Sequence, residues 1–351
     1  MAENGPGPRI AVILFNLGGP DGPDAVRPFL VNLFSDPAIL RVPGPLRWLL
    51  ARLIAGRRAA IARGIYEQIG GGSPLLPNTQ AQARALEAQF PGGHVRVFPC
   101  MRYWHPMADA VASAVRDWAP DRILLLPLYP QFSTTTTASS LQDWTRAARR
   151  AGLSAETVAY CCYPVLRGFV AAMVDLIQPA LAAARSDGPV RLLFSAHGLP
   201  KRVVEGGDPY QWQVEQTAAA IVAALGHPDL DHAVCYQSRV GPLEWIGPST
   251  DAEIERAGRE GRSVVLVPVA FVSEHSETLV ELDIEYRHLA ERCGVSGYRR
   301  VATVGTHPLF IDGLAGIVRA GSMAPAGIGC VEGHRVCPAD RQGCALQNEG
   351  A

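Results

Sequence analysis

The stretch Leu192–Pro200 (LLFSAHGLP) decides the fold. Its apolar run does not alternate, as expected of a parallel strand covered on both faces. The run ends on a histidine, His197, followed by Gly198 and Pro200, so the strand delivers an imidazole to the mouth of a sheet. The pattern has a counterpart 180 residues earlier, Ile10–Pro20 (IAVILFNLGGP), and further segments repeat in the same order. Val95–Tyr103 (VRVFPCMRY) corresponds to His232–Val240 (HAVCYQSRV), with Arg102 matching Arg239. Ile123–Leu141 corresponds to Val264–Leu282, with Pro127, Thr137 and Leu141 matching Pro268, Thr278 and Leu282. Helix-length, Ala-rich segments separate the strands, for example Thr79–Phe90, Met107–Trp118 and Tyr210–Leu225. Strands alternating with helices imply parallel sheets covered on both faces. The expected fold class is therefore α/β, with two similar Rossmann-like, doubly wound domains facing each other across a ligand cleft. Their boundaries are placed at residues 1–165 and 166–309. Residues 310–351 hold a helix at about Phe310–Ala320 that returns to the first domain, then a cysteine-bearing tail.

A second segment carries chemistry. Phe271–Tyr286 (FVSEHSETLVELDIEY) follows the apolar strand Val264–Ala270 and becomes an acidic helix. Glu277, Glu281 and Glu285 recur every four residues and lie along one side. On an α-helix each such step drifts by about 40°. A wider π-type turn drifts the other way, and such turns collect at functional sites. Like charges at this spacing destabilise a helix, which suggests a proton or metal path; the plainer reading is a solvated acidic face. His197 and Glu277 are the metal-site candidates, since imidazole nitrogen and carboxylate oxygen suit a first-row divalent ion without trapping it. His197 is equally suited to accept protons, and both roles stay open. Glu274 and His275 flank the ladder as further candidates. The plainer alternative for His197 alone is a turn cap.

These two segments resemble ferrochelatase, the family that inserts ferrous iron into a porphyrin. The resemblance extends to Asn16–Pro20 (NLGGP), Tyr66–Pro74 (YEQIGGGSP), Arg102–Pro106 (RYWHP), Tyr129–Leu141 (YPQFSTTTTASSL) and Gln237–Pro248 (QSRVGPLEWIGP), and covers roughly residues 9 to 320. It implies a chelatase-like fold with a porphyrin-binding cleft, porphyrin and Fe²⁺ as substrates, and catalysis by His197, Glu277, Glu281 and Glu285. It implies propionate contacts at Arg58, Tyr66 and Ser73, where guanidinium chemistry and a glycine loop fit carboxylates. It further implies porphyrin contacts at Leu17, Arg102, Tyr103 and Trp245. Tyr236, another aromatic after a strand, stands where the animal enzymes have tryptophan. Trp104 shares the strand end with Arg102. The expected activity is insertion of Fe²⁺ into protoporphyrin IX to form protohaem. The alternatives are a coproporphyrin ferrochelatase, another tetrapyrrole chelatase, or a porphyrin carrier without catalysis, which would not need the carboxylate ladder.

The tail cysteines Cys330, Cys337 and Cys344 are spaced C-x6-C-x6-C. The resemblance implies a [2Fe-2S] cluster held by them and an internal cysteine. The animal position for that cysteine lies in Ser133–Thr135, which has none, so Cys161 or Cys162 would serve. Zinc on Cys330, His334, Cys337 and Cys344 matches no common module, and free thiols are the remaining alternative. Cys100 and Cys235 read as core residues, and Cys293 as a residue near a helix end.

The 351-residue chain has 48% apolar and 19% charged residues and a net charge of −1, which gives no reason to expect nucleic acid as partner. The N-terminus has no basic start followed by an apolar run, so no signal peptide is expected. The apolar stretches read as strand-length, so no membrane span is expected. The chain is expected to be cytoplasmic, as a monomer or homodimer. Leu46–Arg58 (LRWLLARLIAGRR) reads either as a lip touching the inner membrane peripherally or as a core-packing amphipathic helix.

Overall fold

The computed structural model describes residues 7–238 and 243–346; Arg239, the expected counterpart of Arg102, lies outside the described residues. The chain forms two compact units. One holds residues 7–162 with Leu314–Val336; the other holds Tyr163–Gly313 with residues 337–346.

The first unit is built on a parallel sheet of β1 (Ile10–Asn16), β2 (Val95–Met101), β3 (Arg122–Pro127), β4 (Glu156–Tyr160) and β9 (Gly327–Gly329), in the order β2-β1-β3-β4-β9. The second sheet holds β5 (Val190–His197), β6 (His232–Gln237), β7 (Ser263–Pro268) and β8 (Tyr298–Arg300), also parallel, in the order β6-β5-β7-β8. The duplication is thus structural: β5 to β8 repeat β1 to β4 in order and direction. The backbone register agrees, since Phe15 pairs with Pro127 where Ser195 pairs with Pro268. Leu17 of the first unit therefore stands where His197 stands in the second. The loops after the second strand also match, with Met101 N–H donating to the Pro106 carbonyl (2.8 Å) and Tyr236 N–H to the Pro248 carbonyl (2.9 Å).

The doubly wound expectation is met, and the strand order is of the 2-1-3-4 type. Such sheets bind ligands outside the strand carboxyl ends, at the point where the winding reverses. In the second unit that point lies between β5 and β7.

The helices are α1 (Val26–Phe34), α2 (Gly44–Glu67), α3 (Leu75–Glu87), α4 (Ala108–Trp118) and α5 (Thr137–Ala151), followed by α6 (Arg167–Ala184), α7 (Lys201–Glu205), α8 (Tyr210–Leu225), α9 (Thr250–Arg259), α10 (Tyr286–Arg292) and α11 (Pro308–Gly321). Glu277–Glu285 is a π-helix running into α10. Ile13, Phe15, Ile123 and Leu125 pack under Trp144 of α5, and Leu193, Val264 and Leu266 pack under Leu282 and Tyr286.

Residues 337–346 of the tail join the second unit. Two sequence expectations need correction. The strand expected over His232–Val240 stops at Gln237, because Ser238 has φ +61°, outside the extended range. The longest apolar stretch is not strand-length: Arg167–Asp187 is long and apolar enough to cross a membrane by length and composition. Phe169, Met173, Ile177 and Leu181 on that helix are nevertheless buried in the protein, as in a core helix.

Candidate active site

At the end of β5 the imidazole of His197 meets the first carboxylate of the π-helix, with Nδ1 2.9 Å from Glu277 Oε2. Each partner stabilises the charged form of the other. Burial pushes the His197 imidazole down, but the charge and hydrogen bond of Glu277, with Glu281 behind, raise it above its ordinary value. Burial likewise opposes ionisation of Glu277, yet His197, His275 and Ser238 hold it down at about 2.

Glu281 behaves oppositely. Burial and the neighbouring Glu277 charge raise it to about 7, against hydrogen bonds from Ser238 and the charge of His197. Ser238 binds both carboxylates. Its backbone N–H donates to Glu281 Oε1 at 2.9 Å, and its hydroxyl reaches Glu281 Oε2 and, at 3.5 Å, Glu277 Oε2. The Tyr286 hydroxyl lies 3.2 Å from Glu281 Oε1. Two neighbouring carboxyls with opposite shifts give one permanent anion and one group that changes protonation near neutrality.

His275 is buried against Phe271, with ring centroids 4.6 Å apart and Nε2 4.0 Å from Glu277 Oε1. Burial lowers its imidazole, more than Glu277 and Glu274 raise it. Glu274 turns away from the set and accepts from Arg300 (2.6 Å) and from the Thr303 backbone N–H (2.9 Å). Glu285 is exposed, and its side chain makes no hydrogen bond or ion pair among the described residues. The ladder thus brings Glu277 and Glu281 together and leaves Glu285 at the surface.

Trp245 packs against Gly198, the residue after His197. A Cβ on Gly198 would sit 2.9 Å from the Gln237 carbonyl and 3.2 Å from the Trp245 ring, so only glycine allows this approach. Tyr236 is different: its side chain is 1% exposed. In this arrangement the ring is enclosed by the protein.

In the first unit the two glycine loops expected at the porphyrin meet. Ser73 N–H donates to the Pro20 carbonyl at 2.7 Å, and Gly19 faces Ser73 and the Tyr66 hydroxyl. Leu17 is half-buried and Arg58 is exposed on α2. Arg102 is committed inward. It donates to Asp36 (2.7 Å), Ser139 (2.7 Å) and Asp143 (3.4 Å), and the Tyr103 hydroxyl donates to the same Asp36 at 2.8 Å. Tyr103 is 1% exposed. In this arrangement Arg102 and Tyr103 brace the loop rather than present free groups, and Trp104 beside them is half-buried.

Pairing of β9 with β4 puts Tyr160 opposite Gly329 and hence brings Cys330 beside Cys161 and Cys162. The three sulfurs lie within 4.8 Å of one another, all buried. Thiol hydrogen bonds from Cys161 and Cys162 lower the Cys330 thiol well below its usual range. Dense, buried thiols with one of thiolate character fit an iron–sulfur cluster. Cys337 and Cys344 are buried in the second unit, where Gln213 Nε2 donates to Cys337 Sγ at 3.2 Å. Cys100 and Cys235 are core residues.

Sequence reasoning missed Ser238, Tyr286 and Asp36. Ser238 left one signal, its place directly after a strand in QSRVG. Asp36 left none, because its partners are more than 60 residues away.

A doubly wound sheet with an imidazole–carboxylate set at its winding reversal defines an α/β metal chelatase. Among solved structures, SirB from Bacillus subtilis with Fe3+ shares the fold at TM-score 0.55 and 11% identity, covering 90% of this chain and 96% of that one. The ferrochelatase family model matches residues 9–322. The chain is 54% identical to the ferrochelatase of Caulobacter vibrioides over 348 residues, 98% of this chain and 99% of the relative. It is 51% identical to that of Hyphomonas neptunium over 344 residues, 96% and 95% of the two. The chain belongs to the ferrochelatase family.

Proposed function

We propose that this chain inserts Fe²⁺ into protoporphyrin IX to form protohaem, the last step of haem synthesis. The observation that carries the chemistry is the His197–Glu277 pair with Glu281 behind it. Metal insertion replaces two pyrrole N–H protons by one Fe²⁺, so the enzyme must take up two protons. With Nδ1 bonded to ionised Glu277, the neutral imidazole of His197 keeps Nε2 free to accept one. The Glu277 charge stabilises the imidazolium that results. Glu281, poised near neutrality, suits uptake and release of the second proton. Glu277 and His197 are also the ligands that guide the incoming iron. Glu285, at the surface, serves its supply or the exit of protons.

On the first unit, Arg58, Tyr66 and Ser73 bind the propionates, with Arg58 the exposed cation, and Leu17 supplies apolar contact to the macrocycle; on the second unit Trp245 supplies apolar contact. Arg102 and Tyr103 hold the loop in place. Anaerobic assays with protoporphyrin IX and coproporphyrin III side by side test the reading. Preference for the four-propionate substrate would refute protoporphyrin, and turnover of neither would refute the activity.

We further propose that Cys330, Cys337 and Cys344, with Cys161 or Cys162, ligate a [2Fe-2S] cluster that fastens the tail and takes no direct part in insertion. The three packed thiols support this. Protein made under iron-replete, anaerobic conditions should be reddish-brown, and serine at any tail cysteine should remove the visible absorbance. Only one of Cys161→Ser and Cys162→Ser should do so. Colourless, iron-free wild type would refute the cluster.

The chain is proposed to be cytoplasmic, with α2 resting peripherally on the inner membrane. The inward face of α2 is Ala51, Ala55 and Ala59, while Trp48 and Leu49 are each 56% exposed beside Arg47 and Arg52. Apolar side chains flanked by cations suit a lipid interface. Sedimentation with anionic vesicles, lost in Trp48→Glu/Leu49→Glu, tests it.

A further inference from the structure

The segment 337–346 does more than carry cysteines, because it is docked onto the turn that follows the catalytic strand. From His197 the chain passes through α7, the Gly206–Gly207–Asp208–Pro209 turn and the start of α8, all within the second unit. Three contacts tie the tail to that turn. Gly343 N–H donates to the Gly207 carbonyl at 2.9 Å. Gln213 Nε2, on the first turn of α8, donates to Cys337 Sγ at 3.2 Å, and Gln213 is fully buried. The backbones also touch. A Cβ on Gly207, which has φ +92°, would lie 2.9 Å from the Gln342 nitrogen. One on Gly343 would lie 3.0 Å from the Gly207 carbonyl oxygen and 3.2 Å from the Asp208 Cα. Contacts under about 3.4 Å at Cβ force a neighbour to move.

The other end of the same turn holds the imidazole. Asp208 closes the turn before α8 by accepting the Tyr210 backbone N–H at 3.0 Å. The buried Tyr210 side chain lies close to the backbone of His197. Gly198 is pinned by its N–H to the Gln237 carbonyl at 2.9 Å. The five-residue α7 makes only one short turn between these points. A helix of that length has little stability of its own and takes its position from what packs on it.

We propose that residues 337–346 act as a strap on the 206–213 turn, with Gly207, Gly343 and Gln213 as positioning residues that hold His197 in register with Glu277 through α7, α8 and Tyr210. The proposal rests on the assignment of His197 to metal insertion made above. It gives the tail a consequence for turnover without any contact with substrate, and it makes a loosened tail a loosened imidazole.

Two variants test it in the full-length protein, neither at a reacting atom. Gly343→Ala pushes the strap off the turn and lies in the tail itself, so it leaves the sheet intact. Gln213→Leu removes the N–H···S bond that joins α8 to the tail. Each is read by hydrogen–deuterium exchange of peptides spanning 337–346 and 200–213, and by kcat and KM for metallation. The strap predicts faster exchange in both segments, kcat lowered at least about tenfold, and porphyrin KM within about twofold. Faster exchange in 337–346 with unchanged exchange in 200–213 and wild-type kcat would overturn it. Unchanged exchange at 337–346 in both variants would overturn the docking contact itself. A wild type that metallates no porphyrin would instead sink the activity, while the exchange comparison would still decide whether the tail and the turn are coupled.

Discussion

Replacing Glu281 by glutamine should make the protein more stable at pH 8 and barely change it at pH 5. The carboxyl is buried beside ionised Glu277, which raises its midpoint from 4.5 to about 7. Folding therefore increases its affinity for a proton. Between those two values the native state binds more protons than the unfolded chain, so stability falls as pH rises through the window. At about 1.36 kcal/mol per tenfold change in proton affinity, the full cost of ionising Glu281 above pH 7 is on the order of 3 kcal/mol. Partial exposure of the side chain to solvent reduces this to about 2 kcal/mol. At pH 5 most of the cost is absent, leaving well under about 1 kcal/mol. Glutamine is neutral at every pH and keeps an acceptor for the Ser238 donors, so it removes the cost and leaves the packing. Urea unfolding of wild type and Glu281→Gln at pH 5, 6, 7 and 8 measures the difference directly. An advantage that grows by about 2 kcal/mol across that range is expected. An equal effect at all four values, or a variant less stable at pH 8, would show that Glu281 is ionised in the native site and refute the opposed shifts of the two carboxyls.

Three further outcomes are expected. His197→Ala should lower kcat at least about a hundredfold, as expected for loss of a positioned base, while fluorescence titration still shows porphyrin binding; a variant above a tenth of wild-type kcat would argue against that role. Glu277→Gln should be nearly inactive and should move the imidazole midpoint in the pH–rate profile downward, because the charge that raises His197 is gone. Glu285→Gln at the surface should be mild, and equal damage at the two positions would count against a graded path. Gly19→Ala would place a Cβ 2.5 Å from Ser73 Oγ and should cost about 1–3 kcal/mol by overpacking and raise porphyrin KM, read by thermal unfolding and steady-state kinetics; Gly22→Ala, where a Cβ meets nothing within 4 Å, is the control.

Where a function falls on a strand end, the residues alone locate it. LLFSAHGLP and the duplicated IAVILFNLGGP give β5 and β1 with His197 and Leu17 in equivalent places, because unbroken apolar runs and their stop signals are local. The acidic ladder is legible for the same reason, as is its suitability for a π-turn, which the structure forms over Glu277–Glu285. What eludes the sequence depends on the partner. Tyr103 follows β2, Tyr236 lies near the end of β6 and Trp245 comes after it, but the first two turn into the core and the third lies against Gly198. Nothing in their neighbours along the chain distinguishes them. Ser238 acquires its role only because a left-handed residue after β6 aims its N–H and hydroxyl at carboxylates 39 and 43 residues on. Gly327–Gly329 is too short for a strand pattern and pairs only because β4 offers an open edge.

The duplication bears on why the chemistry sits where it does. Across the repeat, Leu17 stands for His197, Thr136 for Glu277 and Ser140 for Glu281. Both units therefore offer the same frame, a strand end facing the start of the segment that follows the third strand. In the first unit that frame holds an apolar side chain and two hydroxyls, which cannot take up protons near neutrality. In the second it holds an imidazole and two carboxylates. The segments also wind differently, α in α5 and π from Glu277 to Glu285. With Ser140 and Trp144 of α5 buried, the α-winding turns successive fourth residues into the core. A ladder of charges could not follow that course without losing its water. The π-winding lets Glu277 and Glu281 stay side by side under Ser238 while Leu282 and Tyr286 still fill the core. An insertion-free return of this segment to α geometry would therefore separate the carboxylates or bury one of them unpaired, and either change would abolish the opposed proton affinities on which the proposed transfer depends.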